Sequence, residues 1–534
     1  MQGVDSPVAH WGGILVIGGM YAVFLAIGWW ASRRLTLGTA AEYLVAGRAM
    51  PFWMATLTMA ATWIDGGYLL GTTEGTFGSL ASGWQGGVAF GLSLIVGGCV
   101  FARRMRRLEF VTLVDPLAAR FGETWGAVLS LPAMFGELFW SAELLVAVGA
   151  SFGVILGVNL TTAIITSAAV VTIYTLVGGM WSVGYTDTLQ FALIPIGLFL
   201  ALPFALSAAG GLDACWTGYV ERQGIAARWI PPLAAEGYWT APRIANWWDL
   251  SIMLVLGGIP WNCYFQRVQS CQSPAKAQWH SIVAGLITIA MTIPPLLFGL
   301  AAFNFDGWSA DARAQLAAAP AMALPLVLVE ATPGAIAVIG LVAIVGAVTS
   351  SFSASILSAG SMIGWNVWRG LVSPDISAHA MRRLVRAMVV VLGSLAAVLA
   401  LRVQSVQQLW FFTSDLVFVL VFPQLVFALF DPRANRTGSI AAFCVSLVLR
   451  LGDGEPILAL PRLFSVADWL GPVLPGGASV WFDDAGHATL FPVRTAAALA
   501  GLVLLPLVSR LTARWDPPVA IPKAPAEPTS GGRT

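Results

Sequence analysis

The stretch TMAATWIDGGYLLGTTE, residues 58–74, is apolar over most of its length but carries an aspartate and two glycines at its centre. A second stretch, MLVLGGIPWNCYFQRV at 253–268, is interrupted by two glycines and a proline. Glycine and proline both weaken the interior of a helix, because glycine loses more backbone entropy and proline lacks the N–H group. Each interruption alone is equally compatible with bending or close helix packing. Together they predict two broken helices.

The composition places these stretches in a membrane. Of 534 residues, 57% are hydrophobic and 10% are charged, whereas soluble proteins carry about 25% charged residues. A membrane-spanning helix needs roughly 20 apolar residues. About thirteen such stretches occur, and they start near positions 11, 54, 82, 124, 160, 188, 248, 279, 334, 384, 406, 437 and 493. We therefore predict an all-α integral membrane protein that lies in a lipid bilayer.

The positions of the interruptions suggest an internal repeat. If residues 11–31 form one extra N-terminal helix, the interruptions fall in the first and sixth of ten core helices, at equivalent places in two five-helix halves. This pattern is typical of inverted-repeat transporters, which bind substrate and ions where helices unwind. We place the core at 50–430 and two C-terminal helices at 436–512, all within one domain, 1–515. The Pro-rich tail, 516–534, is expected to be disordered in the cytoplasm.

The distribution of arginine predicts the orientation. Segments such as ARRMRRLE (102–109) and MRRLVRA (381–387) fall in loops on the same side as the C-terminus. The positive-inside rule then places the N-terminus outside and the C-terminus in the cytoplasm. A strongly basic segment does not precede residues 11–31, so we expect a retained helix there. Lysine is rare beside arginine, which is typical of GC-rich bacterial genomes and suggests the inner membrane as the plasma membrane involved.

Aromatic residues accompany the interruptions. Trp63 and Trp261 adjoin them, and Trp140, Trp410 and Phe90 lie in other apolar stretches. Many of the 23 tryptophans belong to interfacial belts, but residues beside breaks near the membrane midplane do not fit that explanation. A quaternary ammonium has no N–H donor and binds aromatic faces, with about 2 kcal/mol per desolvated ring. Several rings would form a cage for such a cation.

A hydroxyl-rich run and one acidic residue suggest ion binding. In VGAVTSSFSASILSAGS, residues 345–361, Ser350 and Ser351 offer the neutral oxygens that sodium prefers. Small hydroxylated residues also mediate ordinary helix packing, which is the alternative. Asp187 lies at the predicted cytoplasmic start of an apolar helix, where it could simply cap that helix.

At this point the motifs resemble a known family. The strings are TMAATWIDGGYLLGTTE, EFVTLVDP, GELFWSAELL, YTLVGGMWSVGYTDTLQ, LGGIPWNCYFQRVQS, SASILSAGSM, LWFFTSDLVFVLVFPQL and LRLGDGEP, which together span residues 44–455 with their surroundings. They resemble the sodium:solute symporter family, and within it the high-affinity choline transporter branch. The resemblance implies a ten-helix (5+5) core of the LeuT type. It also implies sodium-coupled import of choline by alternating access.

The resemblance also assigns roles to individual residues. Trp63, Trp140, Trp261 and Trp410 match the choline cage of that branch. The usual sodium site of the family falls on two kinds of oxygen, namely the carbonyls of Ala61, Ile64 and Ala347 and the hydroxyls of Ser350 and Ser351. Asp187 resembles the acidic residue assigned to a second sodium position in some relatives. Transport in this branch also depends on chloride, which the resemblance implies here.

Three departures from the branch concern the predicted site. Phe90 stands where the branch has tyrosine, Asp65 stands where it has glycine, and Ser353 stands where it has aspartate. The last two look like one acidic residue that has moved across the site. We expect Asp65 to balance the charge of either sodium or choline, with Ser353 as the position that lost it.

Other functions fit the sequence less well. Symport of betaine, a carnitine-like cation, proline or another amine is the main alternative, although a carboxylate-bearing solute would ask for a positive group near the breaks. An intramembrane enzyme would need clustered catalytic groups, and the histidines are scattered at His10, His280, His379 and His487. A transporter-like sensor would need an appended signalling domain, which we do not expect. We predict a transporter without enzymatic activity and without a nucleic-acid partner.

Overall fold

The computed structural model describes residues 7–33, 40–156, 160–176, 179–402, 406–470 and 490–521. Within these ranges the protein is all-helical, without strands. The first ten helices, in chain order, are α1 (Pro7–Ser32), α2 (Ala40–Val45), α3 (Phe52–Trp63), α4 (Gly66–Gly78), α5 (Leu80–Val96), α6 (Arg103–Leu108), α7 (Asp115–Phe121), α8 (Glu123–Leu156), α9 (Leu160–Thr175) and α10 (Gly179–Ala208).

The remaining helices continue the bundle. They are α11 (Leu212–Gln223), α12 (Ala241–Gly257), α13 (Asn262–Ser270), α14 (Pro274–Ala290), α15 (Ile293–Asn304), α16 (Ala310–Ala318), α17 (Ala323–Ala331), α18 (Gly334–Met362), α19 (Ala378–Ala400), α20 (Val406–Leu416), α21 (Phe422–Phe430), α22 (Arg436–Gly452), α23 (Val466–Leu470) and α24 (Val493–Thr512). A π-helical segment, Val417–Val421, joins α20 to α21.

The described helices are those of a multi-pass membrane protein. Eight helical segments are long and apolar enough to cross a bilayer, and shorter apolar helices accompany them. The predicted all-helical membrane fold is thereby confirmed. The predicted count of thirteen spans stays a prediction, because the broken and short helices do not reach spanning length individually.

The first predicted interruption separates α3 from α4. Ile64 follows α3, and Asp65 adopts an extended conformation before α4 begins at Gly66. The Asp65 carboxylate accepts a hydrogen bond from the Tyr68 backbone N–H at 2.7 Å, and so forms the N-cap of α4. The aspartate therefore both marks the break and starts the second half of the helix.

The second predicted interruption separates α12 from α13. α12 ends at Gly257, and α13 begins at Asn262 after the extended residue Trp261. Pro260 has no N–H group with which to continue a helix, and the Trp261 N–H instead donates to the Ile259 carbonyl at 2.8 Å. Both interruptions predicted from the sequence are present.

The glycines at the breaks also allow close packing. A Cβ atom added at Gly66 would lie 2.5 Å from the Ala147 Cβ on α8 and 2.8 Å from the Val348 side chain on α18. One added at Gly258 would lie 2.5 Å from the Ser93 hydroxyl on α5. Real Cβ atoms do not approach other atoms so closely. The two interpretations of these glycines, as breaks and as packing positions, therefore both apply.

The first residues of the predicted tail contact the helical bundle. Asp516 accepts a hydrogen bond from the Thr437 backbone N–H at 2.7 Å, and the Val519 carbonyl accepts one from Arg120 at 2.5 Å. The rest of that tail, residues 522–534, lies outside the described residues. The predicted extra N-terminal helix falls within α1.

Candidate functional site

A small cavity lies between the two interruptions. Nine residues line it, and six of these are the predicted substrate-binding residues. The lining consists of Thr62, Trp63, Asp65, Phe90, Trp140, Trp261, Cys263, Trp410 and Thr413. The fold thus brings together side chains that are separated by up to several hundred residues in the chain. We call this cavity the aromatic cage.

Edge-to-face contacts hold the rings of the aromatic cage. The Trp140 and Trp261 ring centroids are 5.3 Å apart at 73°, and those of Phe90 and Trp410 are 5.2 Å apart at 62°. The Trp261 indole N–H donates to the Gly257 carbonyl at 2.8 Å, which fixes that ring against the end of α12. Because paired rings stand at steep angles to each other, they form adjoining walls instead of a flat stack.

Three glycines make room for the Trp410 ring. A Cβ atom added at Gly86 would lie 2.2 Å from the ring, one at Gly67 2.8 Å, and one at Gly71 3.0 Å. Any larger residue at Gly86 or Gly67 would therefore displace the indole. Gly67, a glycine of the first interruption, thus also helps to form the slot that holds this wall of the cage.

Among the described residues that line the cage, Asp65 contributes the only acidic or basic side chain. Its second carboxylate oxygen accepts a hydrogen bond from the Trp140 indole N–H at 2.5 Å. Ser353, the proposed charge partner, instead donates to the Ser350 carbonyl of its own helix at 2.9 Å. The carboxylate is therefore held by neutral N–H donors from α4 and α8.

A cluster of neutral oxygens lies at the C-terminal end of α3. The Ser350 hydroxyl donates to the Ala61 carbonyl at 2.8 Å and contacts the Ala347 carbonyl at 3.2 Å. The Ser351 hydroxyl donates to the Thr62 carbonyl at 3.0 Å. Four of the five residues predicted to bind sodium are thus in direct contact, with Thr62 in addition. We call this set the serine cluster.

The donor chemistry of the serine cluster suits a hard monovalent cation. Hydroxyl and carbonyl oxygens are the ligands that such ions prefer, and the C-terminal end of α3 carries partial negative charge. Ile64, the fifth predicted residue, caps this same helix end. The position at an unwound helix is the one expected for a coupling ion.

Asp187 does not lie where the sequence suggested. α10 begins at Gly179, so Asp187 is more than two turns inside the helix and does not cap it. The residues before Asp187 are small or apolar and are also helical, so the helix begins before its most apolar stretch. Its carboxylate is buried and pairs with Arg267 at 3.2 Å, and it accepts a hydrogen bond from the Thr58 hydroxyl. Arg267 therefore already supplies the positive charge that a sodium ion would bring.

Some residues at the site were missed from the sequence. Thr413 lies three residues after Trp410, and this helical spacing places the two on one face. Cys263 follows the second break closely and could have been found in the same way. Glu137 and Glu143 are fully buried carboxylates on α8, flanking Trp140. In the sequence, each is an acidic residue within an apolar span, and such a residue at membrane depth indicates a functional site by default.

Comparison with known proteins agrees with this geometry. The model of the sodium:solute symporter family matches residues 43–446. High-affinity choline transporter 1 of Caenorhabditis elegans is 35% identical over 94% of this chain and 88% of its own length. High affinity choline transporter 1 of Homo sapiens is 36% identical over 85% of this chain and 79% of its own length.

A solved structure has the same fold. A Na+-coupled sialic acid symporter in a substrate-bound outward-open state superimposes with a TM-score of 0.73, over 96% of this chain and 99% of that one, at 18% identity. At this identity the likeness concerns the fold alone. The resemblance predicted from the motifs is confirmed by the match to the family and by relatives that align over most of the chain. The chain belongs to the sodium:solute symporter family.

Proposed function

We propose that this protein imports choline, or a closely related quaternary ammonium, in symport with sodium by alternating access. The observation that carries the proposal is the composition of the aromatic cage. Five aromatic side chains and one carboxylate line it, and no basic side chain appears among the described residues that do so. Such a cavity favours a permanent cation that cannot donate N–H hydrogen bonds.

The relatives support the choice of substrate within the family. Relatives that align over most of this chain include proteins named high-affinity choline transporter 1. Sodium/glucose cotransporter 1 of Mus musculus aligns at 28% identity over only 54% of this chain.

The contact between the serine cluster and the aromatic cage supplies a route for coupling. Thr62 belongs to both, because its carbonyl accepts a hydrogen bond from the Ser351 hydroxyl and the residue also lines the cage. Trp63, the next residue, is a cage wall. An ion held at the end of α3 therefore orders the turn that presents this wall. Coupling of this kind is reciprocal, so sodium and choline should each strengthen binding of the other.

The proposal includes the setting of the transporter. The arginine-rich loops favour an orientation with the N-terminus outside and the C-terminus in the cytoplasm of a bacterial cell. Inward sodium flow across the plasma membrane would then drive uptake. We further propose a chloride requirement by likeness to the choline transporter branch, which replacement of chloride by gluconate in the uptake assay would test.

Uptake into proteoliposomes tests the proposal. We expect accumulation of labelled choline with an inward sodium gradient and little accumulation when potassium replaces sodium outside. Other small quaternary ammoniums should block uptake, because they present the same cation to the cage. Liposomes without protein serve as the control. Equal uptake in sodium and potassium would contradict the coupling, and stronger competition by proline or betaine than by unlabelled choline would contradict the substrate.

A further inference from the structure

Glu143 is a fully buried carboxylate without a positively charged partner in the described part of the chain. Neither of its carboxylate oxygens has a hydrogen bond within the described part of the chain, and none of its surface is exposed. It lies on α8, one of the segments long and apolar enough to cross the membrane. An ionisable group at membrane depth is costly, and it normally faces a cavity or a bound group. We therefore expect Glu143 to contact a bound ligand.

The carboxylate of Glu143 is aimed at the first interruption. A Cβ atom added at Gly67 would lie 2.7 Å from Glu143 Oε1, so only glycine lets the carboxylate approach the backbone this closely. Gly67 is the second residue of α4. The first N–H groups of a helix carry partial positive charge, which attracts negative groups. Glu143 thus reaches the same helix end that Asp65 caps.

Both carboxylates at the N-terminal end of α4 are linked to one turn of α8. Trp140 and Glu143 are three residues apart, so they lie on one face of α8. Trp140 donates its indole N–H to Asp65, and Glu143 lies against Gly67. The two acidic side chains therefore meet the break between α3 and α4 from α4 itself and from α8.

The charges at this break are not balanced by the protein. Asp187, another buried acid of the core, has Arg267 as its partner. Asp65 has only neutral N–H donors, and Glu143 has no hydrogen-bond partner among the described residues. A helix N-terminus supplies about half a positive charge, which is too little for two carboxylates. A cation is needed.

We propose that Asp65 and Glu143 together bind a second sodium ion, beside the aromatic cage and separate from the serine cluster. The inference rests on the proposed sodium coupling for the identity of the ion. Carboxylate oxygens suit a hard cation.

The proposed ion would explain how a cation cage tolerates two buried acids. With sodium bound, the net charge at the break falls, and the aromatic rings remain the main attraction for the quaternary ammonium. The consequence is a stoichiometry of two sodium ions per substrate, one at the serine cluster and one at Asp65 and Glu143.

Thermal stability of the purified protein tests this site without substrate. Sodium is titrated at constant ionic strength against potassium, because a ligand that binds the folded state raises its stability. We expect Glu143→Gln to raise the sodium concentration for half-maximal stabilisation at least about tenfold. Glu74→Gln is the matched control, since Glu74 is a partly buried α4 carboxylate that also has an unpartnered oxygen. It should respond as the wild type does.

A double variant tests whether the protein has two sodium sites or one. Glu143→Gln with Ser350→Ala should lose the sodium response entirely, whereas each single variant should retain part of it. If Glu143→Gln is not recovered folded, Glu143→Asp keeps the charge but withdraws it by one methylene, and it should bind sodium more weakly. A sodium response of either Glu143 variant equal to that of Glu74→Gln would overturn the proposal.

The two proposals can fail separately. Because no choline is present in the titration, a Glu143-dependent sodium response in a protein that does not take up choline would contradict only the proposed substrate. Sodium-driven choline uptake with a normal sodium response in Glu143→Gln would contradict only the second sodium site. As a further readout, the reversal potential of transport should report one sodium ion fewer per choline in Glu143→Gln.

Discussion

Replacing Trp410 by leucine is expected to weaken choline binding by about thirtyfold, while phenylalanine at this position should weaken it much less. A cation over a desolvated aromatic ring gains up to about 2 kcal/mol, and 1.4 kcal/mol is a factor of ten in affinity. Trp410 suits this comparison because its indole N–H has no hydrogen-bond partner among the described residues. The substitution therefore tests the aromatic ring and not a hydrogen bond.

Leucine and phenylalanine both fill part of the slot made by Gly67, Gly71 and Gly86. They therefore share most of the packing loss, which makes phenylalanine the control for leucine. Binding is measured by titrating labelled choline in sodium, with thermal stability recorded in parallel. If both variants bind choline equally well, Trp410 packs the core and does not attract the cation.

Asp65→Asn is expected to reduce transport by more than tenfold. A carboxylate 4 Å from a cation gains about 4 kcal/mol at an effective dielectric constant of 20, and a neutral amide loses most of this. Asparagine also has a single acceptor oxygen, whereas Asp65 accepts from both the Tyr68 N–H and the Trp140 indole. The substitution therefore removes a charge and leaves one donor without an acceptor.

Trp140→Phe separates these two effects, because it keeps a ring and removes the donor. If the charge of Asp65 is needed, Trp140→Phe should retain far more transport than Asp65→Asn. The double variant should then be no more active than Asp65→Asn alone. A defect of equal size in Trp140→Phe would assign the effect to the lost hydrogen bond. Transport by Asp65→Asn equal to the wild type at all sodium concentrations would show that the charge is not needed.

Adding Ser353→Asp to Asp65→Asn identifies the cation that the charge serves. Partial rescue is expected if the charge balances an ion shared between the first break and α18, where Ser353 lies. If the charge serves choline directly, choline affinity should stay low at saturating sodium, with little rescue. The Ser353 hydroxyl now bonds within its own helix, so the new carboxylate would have to turn toward the break.

Much of this molecule is predictable from its sequence. The two broken helices follow from residues that weaken helices, and both appear where the glycines and the proline lie. The six predicted cage residues line one cavity. Trp63 and Trp261 could be predicted from their positions beside the breaks, whereas the cage roles of Trp140 and Trp410 came from the resemblance to the choline transporter branch. The hydroxyl-rich run likewise delivers Ser350 and Ser351 to the end of α3.

The positions and partners of the charged residues were harder to predict from the sequence. Asp187 was expected at a helix start because the apolar stretch begins near it, but the helix starts earlier and the residue lies inside it. Its pairing with Arg267 joins residues that are 80 positions apart, and no local pattern shows such a contact. Glu143 is visible in GELFWSAELL as an acid within an apolar span, yet only the packing at Gly67 shows where it points.

Equilibrium binding to the wild-type protein in sodium tests the central claim most directly. Labelled choline is displaced either by unlabelled choline or by its neutral carbon analogue, in which carbon replaces the quaternary nitrogen without changing the shape. If the aromatic cage binds the cation through ring faces and a nearby carboxylate, the analogue should bind more than tenfold more weakly. Equal displacement by the two compounds would show that the cavity recognises shape alone, and would contradict the proposed basis of recognition.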